Sequence, residues 1–205
     1  MAGSGATVRA LAQKGSRVGG RCISKPKEPI LMRHDRLSLL RLLESLGIDH
    51  HTVDHRPIFT VEEGRDLKAS IPGAHTKNLF LKDKKGALWL ICAEADTRID
   101  LNAAAKALGA GRFSFGSPEL LAEVLGVTPG SVTLFAISND PDHRVRLVID
   151  AALARAERVN FHPLSNAATT GIDQAGLSAF LTAMGRRPVC MDFSGEGGQG
   201  YHVAD

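Results

Sequence analysis

The sequence predicts a single mixed α/β domain, an α+β-like mixed sheet or partial barrel flanked by helices. Three observations predict it. Two apolar runs, Leu79–Lys82 and Ala87–Ala93, flank a Lys84-Lys85-Gly86 turn and read as a β-hairpin. Several short helical segments carry their own start and stop residues. Strand-like runs often follow one another with no helix between, which disfavours a doubly wound parallel sheet.

Arg33 to Leu46 is the first expected helix. Leu37, Leu39, Leu40, Leu42, Leu43 and Leu46 give it an apolar face, and Gly47 stops it. A short strand is expected over Asp49–Val53. Thr60 with Glu63 three residues on makes a capping box for a helix over Val61–Leu67. Pro72-Gly73 signals a turn, and the polar row His75-Thr76-Lys77-Asn78 reads as a loop at the mouth of the hairpin's first strand. Trp89 and Cys92, inside the second strand, are expected in the core.

Beyond the hairpin, Asp100–Leu108 reads as a helix ended by Gly109, followed by a short extended piece, Arg112–Phe115. Ser117 as N-cap and Pro118 at the first helical position start a helix that runs to Leu125. A strand is expected over Ser131–Ile137 and another over Arg144–Ile149. Asp150 caps a short helix, Ala151–Ala156. A last strand, Thr169–Ile172, precedes a helix that starts at Asp173 and ends near Gly185. Residues 194–205 read as a flexible, glycine-rich tail.

Composition bounds the function. Of 205 residues, 43% are hydrophobic and 23% charged, ordinary for a water-soluble fold, and no run is long and apolar enough to span a bilayer. Residues 1–31 hold six basic residues and one acid, Glu28, so the overall charge of +3 comes from this segment. It reads as a disordered basic tail, a transit-peptide-like presequence or a mis-assigned start, with Met32 as an internal start. The rest is slightly acidic, so any nucleic-acid contact there needs a local basic patch, and Lys82, Lys84 and Lys85 are the candidates. The cysteines Cys22, Cys92 and Cys190 form no CxxC pair, so neither a zinc site nor a disulfide framework is expected. This usage fits a reducing, cytoplasmic setting.

Four polar clusters offer chemistry: His75 to Asn78, Asp96 to Asp100, Gly126 to Thr133, and Phe161 to Thr170 with His162. Nucleophile-elbow, phosphate-loop, dinucleotide and zinc-hydrolase motifs are absent. Capping by Asp100 explains the Asp96/Asp100 pair as well as catalysis does. A histidine in a turn, such as His162, is more often structural than catalytic.

Taken together, the blocks carry a resemblance. Phe59-Thr60-Val61-Glu62-Glu63, Pro72-Gly73-Ala74-His75-Thr76-Lys77-Asn78-Leu79-Phe80-Leu81-Lys82-Asp83, Leu108-Gly109-Ala110, Leu125 to Thr133, and Asn160-Phe161-His162-Pro163-Leu164 followed by Ala168-Thr169-Thr170 occur in order. The chain resembles the YbaK-like aminoacyl-tRNA editing family, and within it the freestanding prolyl-tRNA editing proteins. The resemblance spans about residues 33–190 of the domain expected over 32–193. It implies a strongly curved mixed sheet, and a hydrolase that cleaves alanyl-tRNA(Pro) without metal or other cofactor. It implies catalytic roles for Lys77 and Asn78. It implies a substrate lining of His75, Thr76, Gly130, Ser131, Val132, Thr133, Phe161, His162 and Thr169. Backbone N–H groups near Gly130 and Ser131 are expected to receive the oxyanion. The partners implied are the tRNA(Pro) acceptor end carrying a small amino acid and, beyond it, prolyl-tRNA synthetase, with no membrane. The family's glycine-to-proline loop ends here in Leu134, so a less rigid loop is expected. Two other readings stay open: a cysteinyl-tRNA(Pro) deacylase, and a non-catalytic tRNA- or synthetase-binding module on the same fold.

Overall fold

The computed structural model describes residues 33–57, 69–194 and 201–203. The expectations for residues 1–31 and for the Thr60–Glu63 capping box with its helix to Leu67 lie outside the described residues. So does most of the chain after Ser194.

Helix α1 (Arg36–Ser45) starts where Asp35 accepts from the Ser38 N–H at 2.8 Å, and it buries Leu39 and Leu43. Strands β1 (His50–Asp54), β2 (Ala74–Asp83) and β3 (Leu88–Glu94) follow. The β2–β3 hairpin is wound tight by Asp83, whose Oδ1 accepts from the Lys85 and Ala87 N–H groups. Its Oδ2 accepts from Trp89 Nε1 and the Gly111 N–H. Burial pushes the Asp83 carboxyl up, but these hydrogen bonds outweigh it and hold the group below the usual carboxylate range. Helix α2 (Leu101–Ala107), β4 (Phe113–Phe115) and α3 (Pro118–Leu125) come next, with Asp100 and Ser117 as the expected N-caps. Strand β5 (Val145–Asp150), α4 (Ala151–Arg155), β6 (Arg158–Phe161), β7 (Ala168–Asp173), α5 (Gln174–Ala183), β8 (Val189–Asp192) and β9 (His202–Val203) complete the order.

The nine strands among the described residues make one mixed sheet in the order β1-β7-β6-β2-β3-β5-β8-β9, with β4 on the free edge of β2. Strand β2 is the junction. Along one edge it pairs with β3 from Thr76 to Lys82. Along the other it meets β6 at Ala74 and His75 and β4 at Leu81 to Asp83. The larger core packs helices against one face, with Phe80, Leu90, Phe135, Phe161 and Phe180 buried in it. The smaller packs α2 against the other face, over Leu81, Trp89 and Ile91. Trp89 and Cys92 are buried, as the sequence predicts.

Five elements differ from the sequence reading, among them β6, which that reading leaves unassigned and which pairs parallel to β2 and antiparallel to β7. The polar row His75–Asn78 is part of β2 and not a loop before it, because β3 pairs back as far as Thr76. The strand expected over Ser131–Ile137 is instead a 3-10 helix, Leu134–Asn139, capped by the Thr133 hydroxyl. Its four apolar residues Leu134 to Ile137 are all buried, and such a run does not distinguish strand from helix. Strand β8, which the sequence reading leaves unassigned, pairs parallel to β5. Where a frayed end is expected, β9 pairs antiparallel to β8, and the Tyr201 ring packs against Phe193.

Candidate functional site

Side chains alternate across a strand. On β2 this sends Thr76, Asn78 and Phe80 to the larger core's face, and His75, Lys77 and Leu79 to the other. The adjacent residues Lys77 and Asn78 therefore lie on opposite sides of the sheet. Lys77 Nζ donates to the Thr97 carbonyl in the loop after β3. Asn78 Nδ2 reaches the Thr76 hydroxyl at 3.3 Å, and that hydroxyl donates to the Asn160 carbonyl at 2.8 Å. Asn78 Oδ1 is buried with no hydrogen-bond partner.

What joins the two sides is a gap in the sheet. Between its contacts with β6 and with β4, β2 has no strand neighbour on that edge at Lys77, Asn78 or Leu79. The His75 carbonyl faces the β3 side, where it accepts from Ala95 N–H, and the Phe80 carbonyl faces the gap side, where it accepts from Gly116 N–H. Alternation puts the Asn78 N–H and C=O on the gap side too, with no partner among the described residues. A backbone N–H, a backbone carbonyl and a side-chain amide oxygen of one residue are thus all unpaired. Unpaired buried groups of this kind are places for a water or a ligand to bond, and Asn78 shares that state with five other side-chain atoms among the described residues.

Two loops flank this region. In the first, Gly130 lies beside Asn166: a Cβ added there would meet Asn166 Nδ2 at 3.6 Å. Ser131 and Thr133 are buried, and Val132 packs on the larger core. The Ser131 N–H already donates to the Thr128 carbonyl at 3.0 Å, so it is not the free oxyanion donor the sequence reading expects. Leu134 is fully buried, and the Phe135 ring packs edge-on against Phe161 and Phe180, with centroids 5.2 Å and 5.1 Å apart. The loop is therefore anchored through the core without the proline.

The second loop follows β6. His162 Nδ1 bonds the Ala168 carbonyl at 3.0 Å, which makes it the protonated nitrogen of the ring. The His162 and His55 rings lie 6.3 Å apart, and His55 Nε2 bonds the Thr169 hydroxyl at 3.0 Å. Burial lowers the pKa of His162; the Ala168 carbonyl opposes this, and the nearby His55 and His75 add to it. His162 is therefore neutral at pH 7. The unfolded chain takes up this proton first, so stability falls as pH drops through the ordinary histidine range toward the lowered value. An NMR titration of the imidazole is expected to give a midpoint below the ordinary histidine value; one at or above it contradicts the burial.

The predicted residues thus form two groups. Thr76, Asn78, Phe161, Ser131 and Thr133 belong with the larger core's side, while His75, Lys77, His162 and Thr169 belong with the other. Three further residues enter the site unpredicted. His55 holds Thr169, and Asn166 adjoins Gly130. Asn160 donates to the Pro72 carbonyl at 3.0 Å and ties the start of β2 to β6. Gly73 and Gly171 make room for it: a Cβ on either would come within 3.0 Å of its amide. The glycine just before β2 and the one inside β7 are the sequence signal that finds Asn160, once the pairing is known. Among the described residues no group of three or more His, Cys, Asp or Glu side chains is placed to hold a metal ion, and no helix is long and apolar enough to cross a membrane.

The model of the aminoacyl-tRNA editing domain family matches residues 55–180, which include β2, both loops and the three histidines. This chain belongs to that family. It is 38% identical over 163 residues to the "Prolyl-tRNA synthetase associated domain-containing protein 1" of Bos taurus, covering 77% of this chain and 95% of the relative. It is 32% identical over 149 residues to the "Prolyl-tRNA editing protein ProX" of Acetoanaerobium sticklandii, covering 72% of this chain and 91% of that protein. A solved structure of a candidate trans-editing enzyme for prolyl tRNA synthetase superposes with a TM-score of 0.56 at 19% identity, over 78% of this chain and 98% of its own. That likeness establishes the fold, a mixed sheet flanked by helices.

Proposed function

We propose that this protein is a trans-acting deacylase that hydrolyses the aminoacyl ester of mischarged tRNA(Pro), with alanyl-tRNA(Pro) as its substrate. The observation that carries the reading is the gap beside Asn78, with its open N–H and amide oxygen. An ester between an amino acid and a terminal ribose is already reactive. Its hydrolysis needs a placed water and a donor for the developing oxyanion more than a strong nucleophile. The Asn78 N–H suits the oxyanion, and the Asn78 side-chain amide suits the ribose or carbonyl. Water adds to the carbonyl carbon, the carbon–oxygen bond to the ribose breaks, and the ribose oxygen leaves with a proton. The substrate's neighbouring hydroxyl helps activate the water. Lys77 supplies positive charge to the ester or to the terminal phosphate, for which it exchanges the Thr97 carbonyl. Neutral His162 lines the pocket without adding charge to it.

Selection between amino acids works by exclusion. A pocket fitted to alanine rejects proline by clash, which discriminates more strongly than a missing methylene, worth about 1–3 kcal/mol. The names of the relatives point to prolyl-tRNA synthetase as the source of the mischarged tRNA. The test is a panel of alanyl-, cysteinyl- and prolyl-tRNA(Pro) incubated with the purified protein. Alanyl-tRNA(Pro) is expected to lose its amino acid fastest and prolyl-tRNA(Pro) to survive. Cysteinyl-tRNA(Pro) as the faster substrate would move the specificity, and release from none would leave a non-catalytic binding module.

A further inference from the structure

Away from the gap, at the Asp83 end of β2, lies a cleft of about 500 Å³. Trp89 and Leu108 line it on the apolar side, and Arg146 and Arg187 supply positive charge. The Arg146 guanidinium sits over the Trp89 ring, 5.0 Å from its centroid. That ring is buried and its Nε1 donates to Asp83, so the cation rests on a fixed aromatic face. Arg186 is buried and neutralised by Asp140 at 2.7 Å. Arg146 and Arg187 are exposed and have no carboxylate partner among the described residues.

More positive charge surrounds the cleft. The hairpin turn brings Lys84 and Lys85 beside the loop after α2: the Lys84 N–H donates to the Arg112 carbonyl, and Lys85 Nζ reaches the Gly109 carbonyl. Lys106, Lys84, Lys85 and Arg112 are all exposed. The neighbouring acids are mostly engaged, Asp83 by four hydrogen bonds and Glu123 by Arg144 at 2.8 Å. Asp142, on the turn before His143, stays exposed. In a domain whose charge after residue 31 is slightly negative, this is a marked local excess.

We propose that this cleft and its lysine rim form a docking site for the phosphodiester backbone of RNA, namely the duplex stem of the tRNA whose 3′ end enters the gap. The proposal rests on the tRNA reading above. Two open guanidinium forks, one pre-set on an aromatic ring, suit bidentate phosphate contacts. The six residue-to-residue steps from Lys77 to Asp83 span about 20 Å of strand, a distance the unpaired 3′ end of a tRNA can bridge. A slightly acidic protein thereby holds a polyanion through one end of its sheet.

The test measures binding of uncharged tRNA(Pro) as a function of salt, which needs no catalysis and so is independent of whether the protein is a hydrolase. For the wild-type chain, the logarithm of Kd should rise linearly with the logarithm of salt concentration. The double variant Arg146→Gln, Arg187→Gln is expected to weaken binding about tenfold or more in low salt and to reduce the slope by about 2, near 0.9 for each duplex phosphate no longer neutralised. Arg41→Gln, the same change on α1, serves as control and should leave both unchanged. If the double variant fails to fold, Arg187→Gln alone is expected to reduce the slope by about 1. An unchanged Kd and slope, or an equal loss in the control, overturns the proposal. So does a double variant that no longer binds ATP yet keeps its tRNA binding intact, which would assign the cleft to a free nucleotide.

Discussion

Replacing Lys77 with alanine is expected to lower kcat/KM on alanyl-tRNA(Pro) by about 10²- to 10³-fold, the usual loss when one electrostatic group at a reacting ester is removed. The expectation follows from position. Lys77 sits in the middle of β2, held by β3 along one edge and bordering the gap along the other. Its ammonium bonds a backbone carbonyl, Thr97, and a substrate phosphate offers a stronger partner. Lys77→Arg keeps the charge but replaces a compact ammonium with a planar fork, and is expected to restore only part of the rate. Melting temperature separates this role from a structural one, since both variants are expected to melt close to the wild type. Full activity in Lys77→Ala would remove Lys77 from the chemistry even if the reaction were right.

The second large effect lies far from the gap. Asp140→Ala is expected to destabilise the fold by about 3–5 kcal/mol, the range for removing one partner of a buried ion pair. The Asp140 and Arg186 side chains are 1% and 6% exposed, so neither charge has water to fall back on. Asp140 also accepts from the Arg144 and Val145 N–H groups, and Arg186 Nη1 donates to the Val145 carbonyl at 3.2 Å. This single carboxylate therefore fixes the start of β5 and the end of the segment after α5. For a domain of this size the loss corresponds to a fall in Tm of about 10 °C or more. Equilibrium urea unfolding checks it, and a loss below about 1 kcal/mol would mean that water reaches Arg186 once Asp140 is gone.

Much of this fold was legible in the chain because its signals are local. Asp100, Ser117, Asp150 and Asp173 cap the helices they are expected to cap, and Lys84-Lys85-Gly86 turns the hairpin. The misreadings have a common cause. The row from His75 to Asn78 is polar throughout, and Lys77 and Asn78 border the gap, so it lacks the apolar alternation that marks a strand. The 3-10 helix at Leu134 is buried all round, and its period is invisible for the same reason in reverse. Strand β8 is four residues long and finds its partner, β5, about forty residues back in the chain. The candidate site divides in the same way. Lys77, Asn78 and His162 are nameable from the family's motifs. That Lys77 and Asn78 lie on opposite faces follows from strand periodicity only once both are known to be in β2. The Asp140–Arg186 pair and the placing of His55 on Thr169 join residues far apart in sequence, and no local pattern announces them.

Hydrolysis of a small aminoacyl ester on tRNA(Pro) is the activity proposed for the gap beside Asn78. The most direct measurement is the release of amino acid from alanyl-tRNA(Pro) and prolyl-tRNA(Pro), followed side by side with one preparation of the wild-type protein. Rapid loss of alanine and retention of proline are expected. Alanine release no faster than the spontaneous rate, or proline released as fast as alanine, would contradict the proposal.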